Sequence, residues 1–232
     1  MKRIIRLTES DLGSIIKKSV KKIYEARMEG FRLDVLTNSK TFGERIKYCI
    51  NMLGRPIGIG SSRVVFQLDD DSVLKLARNE KGIGQNREEI ILGSNSEFSC
   101  FPKILNGTDT NNFLWVISEH VLPAQKYDFF EIMKIPFQHI QQFAFAVKGY
   151  VKRKDPAAKK LLDRFYRQYR GKPKVMSFFN DIYKLYTKYG NEIWDITRIP
   201  NWGLCNRNGE ATLVILDIGF SIDVKQNLYR KK

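Results

Sequence analysis

The sequence predicts an α+β chain in which a β-rich stretch, Ile57 to about Val121, lies between two helical stretches. Three observations carry this reading. Apolar residues recur every three or four positions before Pro56 and after Pro123. Between those limits, short β-branched runs alternate with turn residues. A glycine turn within Gly58-Ile59-Gly60-Ser61-Ser62-Arg63-Val64-Val65-Phe66 opens the middle stretch, and Val73-Leu74-Lys75-Leu76-Ala77 follows it.

Thr8-Glu9-Ser10-Asp11 has the pattern of a helix start, and Leu12, Ile15, Ile16, Val20 and Ile23 then share one face, so residues 8–28 are expected to be helical. Residues 40–53 read as a second helix through Phe42, Ile46, Ile50 and Leu53. Gly54-Arg55-Pro56 ends it, which sets residues 1–53 apart as a helical extension. Strands are expected at 57–59, 63–68 and 72–77, with the acidic turn Asp69-Asp70-Asp71 between the last two. Gly82 and Gly84 precede a short helix over Gln85–Leu92. Two further strands, 103–105 and 114–121, flank the turn Asn106-Gly107-Thr108-Asp109. Residues 54–122 are thus expected to hold five strands, with one helix inserted after the third.

From residue 123 to 232 the reading is mainly helical: 125–134, 136–150, 156–170 and 175–189, punctuated by Pro136, Pro156 and Pro173. Asp195 to Gly219 then reads as loop, strand, turn and strand. The turn is Asn206-Arg207-Asn208-Gly209, because Asn-Gly suits positive φ.

Composition narrows the classes. A chain of 232 residues with 43% hydrophobic content can build a core. No apolar run reaches membrane-spanning length, and the apolar part of Met1–Arg6 is too short for a signal peptide, so no membrane partner is expected. Cys49, Cys100 and Cys205 are scattered without metal-ligand spacing, which points to a reducing compartment, the cytoplasm. With only His120 and His139, neither a histidine-rich metal site nor a Ser-His-Asp triad is expected, and His139 reads as structural.

The net charge of +15 is unevenly placed. Eleven Lys and Arg residues lie between Lys148 and Lys174, against Asp155 and Asp163. Leu162, Phe165, Tyr166 and Tyr169 recur there at helical spacing, so an amphipathic helix with a basic outer face is expected. Such a face, Lys152 to Lys174, suits a polyanion such as nucleic acid, or an acidic protein surface; the plain alternative is a solvated helix face.

The chemistry begins with the glycine turn. Backbone N–H groups of such a turn can approach phosphates closely, and a lysine on the next strand can reach the same phosphates with positive charge. Taken alone, the turn also fits an ordinary hairpin. The order of elements constrains the reading further, because turn, lysine strand, acidic helix and two more strands follow one another.

At these residues the chain resembles the protein-kinase-like superfamily, in a small divergent form of the kind found in phage genomes. The resemblance covers about residues 54–220. It implies a two-lobed fold, with an antiparallel five-stranded amino-terminal lobe and a shortened helical carboxy-terminal lobe. It implies that ATP and magnesium are the cofactors. Gly58, Gly60, Ser61 and Ser62 would line the phosphates and Lys75 would bind them. Glu89 would steady Lys75, with Glu88 a weaker candidate, and Glu119 to Val121 would meet the adenine edge through backbone groups. Asn201 resembles the catalytic-loop asparagine, and Asp217, in Asp217-Ile218-Gly219, the metal-binding aspartate; magnesium favours such oxygen donors. Asp195 would orient an attacking hydroxyl or accept its proton.

The departures from the family pattern are specific. Ile193-Trp194 stands where His-Arg is usual, and Asp195 precedes Asn201 by six positions rather than five. Thirteen residues follow Gly219, so neither an activation segment nor the helices that usually complete the second lobe are expected there. Either the helices of 1–50 and 125–190 take over that packing, or the protein binds nucleotide without phosphorylating a protein. The expected activity is phosphoryl transfer to a protein hydroxyl. The alternatives are a non-catalytic kinase-like module that binds through its basic face, and nucleotidyl transfer on the same scaffold.

Overall fold

The computed structural model describes Thr8, residues 30–188 and residues 193–216. The expected helix 8–28, apart from Thr8, lies outside the described residues, as do Asp217 and Gly219. The described chain is α+β, with two small antiparallel sheets.

Two helices come first, α1 (Leu33–Asn38) and α2 (Phe42–Leu53). A reciprocal cap starts α2: the Thr41 hydroxyl accepts the Glu44 N–H at 3.2 Å, and Glu44 accepts the Thr41 N–H at 3.3 Å. Gly54, at φ 87, ends it in a conformation that glycine reaches without strain. Buried Arg45 ties the pair together, donating to the carbonyls of Leu36 at 2.8 Å and Ser39 at 2.5 Å. The sequence reading missed α1, since six residues are too few to display a helical period.

The first sheet has the order β1-β2-β3-β4, from β1 (Gly58–Ile59), β2 (Arg63–Gln67), β3 (Ser72–Ala77) and β4 (Trp115–Glu119). Alternation along the strands divides its faces. Val64, Phe66, Leu74 and Leu76 point one way and form a core cluster with Leu36, Cys49 and Leu53. Arg63, Val65 and Lys75 point the other way, with Val65 directly opposite Lys75 and Lys75 opposite Val116. Helix α3 (Glu80–Gly93) covers this second face around Lys75, so every residue of β3 is buried.

Two expectations need correction here. Helix α3 begins five residues earlier than the sequence suggests and contains Gly82 and Gly84. Asn79 caps it by accepting the Gly82 N–H at 3.1 Å, and the space at Gly82 admits no side chain. The expected strand at 103–105 is reduced to a single bridge, Ile104 to Ser118. The segment makes only the two backbone bonds that flank this bridge, from the Leu105 N–H to the Ile117 carbonyl at 2.8 Å and from the Glu119 N–H to the Lys103 carbonyl at 2.9 Å, before the chain turns away at Gly107, at φ 84. The sheet is therefore four-stranded rather than five-stranded.

Beyond β4 the chain enters a second sheet of order β5-β6-β7, from β5 (Leu122–Pro123), β6 (Trp202–Arg207) and β7 (Glu210–Ile215). The hairpin turn is the pair Asn208 and Gly209, at φ 55 and 83, with Arg207 facing Glu210. Both central residues have positive φ, the geometry of a two-residue hairpin loop matched to strand twist. Between β5 and β6 lie α4 (Lys126–Met133), α5 (Phe137–Arg153), α6 (Pro156–Tyr169), α7 (Pro173–Lys188) and the short α8 (Ile193–Ile196). A 3-10 turn, Ile199–Asn201, leads into β6. The second core cluster is rich in aromatic rings: Phe143 stacks on Phe179 at 4.0 Å, and fully buried Trp202 packs edge-on against Phe129 at 5.1 Å.

Arg207 joins the two sheets. It donates to the carbonyls of Ser99 and Phe101 at 2.7 and 2.5 Å and pairs with Glu119 at 2.9 Å. All three cysteines are buried and free of disulfides. Among the described residues, no helix is long and apolar enough to cross a membrane.

Candidate functional site

The glycine turn between β1 and β2 is held from the β3–α3 junction. The Gly60 N–H donates to the Arg63 carbonyl at 2.8 Å, which closes the turn. The three carbonyls along it are then taken in succession. Arg78 donates its side chain to Gly60 at 2.6 Å, Asn79 its amide to Ser61 at 3.1 Å, and Arg78 its backbone N–H to Ser62 at 2.8 Å. The first turn of α3 closes against the same place, because a Cβ on Gly82 would overlap the Ser62 carbonyl and lie 3.0 Å from the Ala77 Cα. A turn fastened at three consecutive carbonyls is pre-organised rather than floppy.

Beside this turn lies a buried charge cluster. Lys75 reaches from the centre of β3 to Glu89 on α3, and Arg63, the first residue after the turn, meets the other oxygen of the same carboxylate at 2.5 Å. Lys75 is 7% exposed and Glu89 2%. Burial by itself would push the Glu89 carboxyl up, but the adjacent Lys75 and Arg63 hold it below the usual carboxylate range. The carboxylate is therefore ionised, and the three side chains together carry one net positive charge. Glu88, its neighbour, is only half-buried. Arg63 escaped the sequence reading because an arginine after a turn ordinarily points to solvent; only strand alternation puts it on the face of Lys75.

A second group forms around the 3-10 turn. The Asn201 side-chain amide donates to the backbone carbonyl of Asp195 at 3.1 Å and approaches its carboxylate at 3.4 Å. The six-residue spacing is absorbed by α8 and the 3-10 turn, which double the chain back on itself. The Asn201 carbonyl accepts the Leu216 N–H at 2.8 Å, so the chain passes beside Asn201 immediately before position 217. Asp217 itself lies outside the described residues.

The expected adenine edge has a different character from a free strand end. The Glu119 N–H donates to the Lys103 carbonyl at 2.9 Å, and its carboxylate accepts the Lys103 N–H at 2.6 Å and the Arg207 guanidinium at 2.9 Å. Burial raises and these partners lower the Glu119 carboxyl, with the net result below its ordinary value. Glu119 thus contributes a fixed backbone, not a reaching side chain. Val121 is half-buried and packs against Gly203 of β6, where a side chain would collide with it.

The basic stretch runs over the end of α5, all of α6 and the start of α7; within it α6 is amphipathic, with Leu162, Phe165 and Tyr169 buried and Lys160, Arg164 and Arg167 exposed. His139 lies against this core side, bonded to the Tyr169 hydroxyl, and burial lowers its pKa. Among the described residues, no group of three or more His, Cys, Asp or Glu side chains is arranged to hold a metal ion. Compared with family models, curated proteins and solved structures, the chain matches none of them.

Proposed function

We propose that this chain is an ATP- and magnesium-dependent phosphotransferase of minimal protein-kinase-like build, acting on a hydroxyl of a protein. The supporting observation is the Lys75–Glu89 pair: a strand lysine held by a helix carboxylate, beside a glycine turn whose carbonyls are all fastened. Phosphoryl transfer asks mainly for positioning and charge compensation, and a buried cluster of net positive charge supplies both.

The described residues offer groups of the kind this reading calls for. Gly60, Ser61 and Ser62 form the turn, Gly58 stands in the strand that leads into it, and Lys75 and Arg63 supply positive charge beside it. With the amide nitrogen of Asn201 engaged on Asp195, the atom it can offer a cation is its Oδ1, a hard oxygen donor of the kind magnesium takes. Asp217 is the second assigned donor. The metal would shield the charge of the transferred phosphate, and Asp195 would orient the acceptor hydroxyl.

The experiment is incubation with γ-labelled and, separately, α-labelled ATP in the presence of magnesium. Protein-bound label from the γ position alone is the expected result. Label from the α position would mean nucleotidyl transfer, and no label from either would leave a binding module. Mg-ATP should also raise the melting temperature of the wild-type chain, and Lys75→Ala and Asp217→Ala should each remove that rise. An unchanged rise in both variants would overturn the site.

A further inference from the structure

A cavity of about 210 Å3 opens where the end of α4, the first turns of α7 and the start of β7 meet Ser99 and Cys100. Its back wall is held from three sides. The Arg207 side chain donates to the Ser99 carbonyl at 2.7 Å, the Ile215 N–H to the Cys100 carbonyl at 2.8 Å, and the Ser99 N–H to Asp181 at 3.3 Å. The space is thus preformed rather than opened by its occupant. Buried Cys100, Met133, Phe178 and Leu213 form the floor. Small Ser177 and Ala211 stand at exposed positions on the walls and leave room above that floor.

Three features define what fits. The first is charge. Lys174 and Glu210 are the charged residues of the lining, both exposed, and they pair with each other at 2.5 Å, so the rim offers no net charge. The second is size. A closed cavity of about 150 Å3 takes one benzene ring, and drug-sized ligands use about 300 Å3 or more. This space lies between the two and suits two fused rings. The third is polarity. Ser99 gives its hydroxyl to Asp181 at 3.3 Å, and Thr212 gives its own to the Glu210 carbonyl at 3.4 Å. Among the described residues nothing pairs with the Ser177 hydroxyl, which leaves it for a ligand.

We propose that this cavity binds a small uncharged aromatic molecule of two fused rings, which rests on Met133, Phe178 and Leu213 and shares one hydrogen bond with Ser177. An aromatic ring gains more there than an aliphatic chain, because thioether sulfur and a phenyl ring both attract it beyond plain burial. A tryptophan side chain on a partner protein has the same chemistry. The Lys174–Glu210 pair disfavours that source, because it joins α7 to β7 at the outer edge, where a peptide backbone would run. The inference goes beyond the nucleotide reading, since no lining residue belongs to the glycine turn, the charge cluster or the Asn201 group.

The test is isothermal titration calorimetry of the full chain with indole. The expected result is one-to-one binding that added salt leaves unchanged. Indole-3-acetate and tryptamine bring a charge of either sign to a rim with none to spare, and each should bind about tenfold more weakly. Ser177→Ala should weaken indole binding about fivefold, the worth of one hydrogen bond. Ala211→Trp should fill the space and abolish binding; Ser177→Phe closes it from the α7 side if that variant does not fold. Saturating Mg-ATP should leave indole binding intact. The proposal falls if millimolar indole does not bind, if either charged analogue binds more tightly than indole, or if Ser177→Ala or Ala211→Trp binds indole undiminished. It also falls if Mg-ATP displaces indole, or if a capped Gly-Trp-Gly peptide binds more tightly than indole, which would mark the cavity as a protein-docking site.

Discussion

Gly82 and Ser62 are in backbone contact: the first turn of α3 lies so close to the glycine turn that a methyl group on Gly82 would overlap the Ser62 carbonyl. Gly82→Ala is therefore expected to destabilise the protein by roughly 1–3 kcal/mol, the usual range for overpacking a filled site. Gly171→Ala is the matched control, because nothing lies within 4 Å of a Cβ there and its φ is not in the left-handed region. It should be neutral or stabilising by up to about 1 kcal/mol. Urea denaturation of the two variants decides the matter; equal stabilities would mean that the contact carries no constraint.

Glu89 serves two cations, which makes its loss worse than the loss of either partner. Glu89→Gln leaves buried Lys75 and half-buried Arg63 without their shared counter-charge, at an expected cost of about 3–5 kcal/mol near neutral pH. Lys75→Met leaves Glu89 its bond to Arg63 and should cost less than half as much. The Glu89 carboxyl is held below its unfolded value, so its contribution is present above that value and is lost as pH falls through the folded one. The gap between wild type and Glu89→Gln should therefore close in acid, a trend that melting curves across acidic pH would show.

Asp181 behaves in the opposite sense. Burial against Ser99 and Cys100 raises its carboxyl above the ordinary value, while the Ser99 N–H and hydroxyl, both at 3.3 Å, pull the other way. A carboxyl raised by folding favours the folded state most at low pH, and this favour is lost as pH rises through its folded value. Asp181→Asn, which keeps an acceptor for Ser99, should be more stable than wild type at neutral pH, with the advantage shrinking toward acid. A constant difference at all pH values would show that the carboxyl does not titrate there.

The cysteines should be silent in the folded protein. Burial pushes the Cys49 thiol up to about 12, and burial with the adjacent Glu119 does the same for Cys205. The Cys100 thiol is raised as well, by burial first and then by Asp181. Because the thiolate is the reactive form, a disulfide reagent at mildly alkaline pH should label none of them until denaturant is added. Rapid labelling of one thiol in the native protein would contradict its placement.

Much of the fold could be read along the chain, and the misses have physical causes. Helices α2, α5, α6 and α7 carry enough turns for their apolar period to show, and Asn208-Gly209 announces its own hairpin. Helix α1 is too short to do so. The strand expected at 103–105 has suitable residues but makes a single bridge to β4 before the chain turns away, which no propensity for the segment itself reveals. The early start of α3 violates the ordinary reading of two glycines as a break; Gly82 is tolerated because a close approach from another element needs the space.

The candidate site divides in the same way. By itself the sequence determined which residue types stand in which order: a glycine turn, a strand lysine, a helix glutamate and a late asparagine, together with the period that puts basic residues on the outside of α6. Tertiary structure alone decided that Arg63 shares the Glu89 carboxylate, that Arg78 and Asn79 hold the turn, and that Arg207 spans both sheets to reach Glu119. The reason is that periodicity reports which face of an element a residue occupies. Which of several arginines meets a carboxylate depends on how separate elements pack, and many sequence separations are compatible with the same contact.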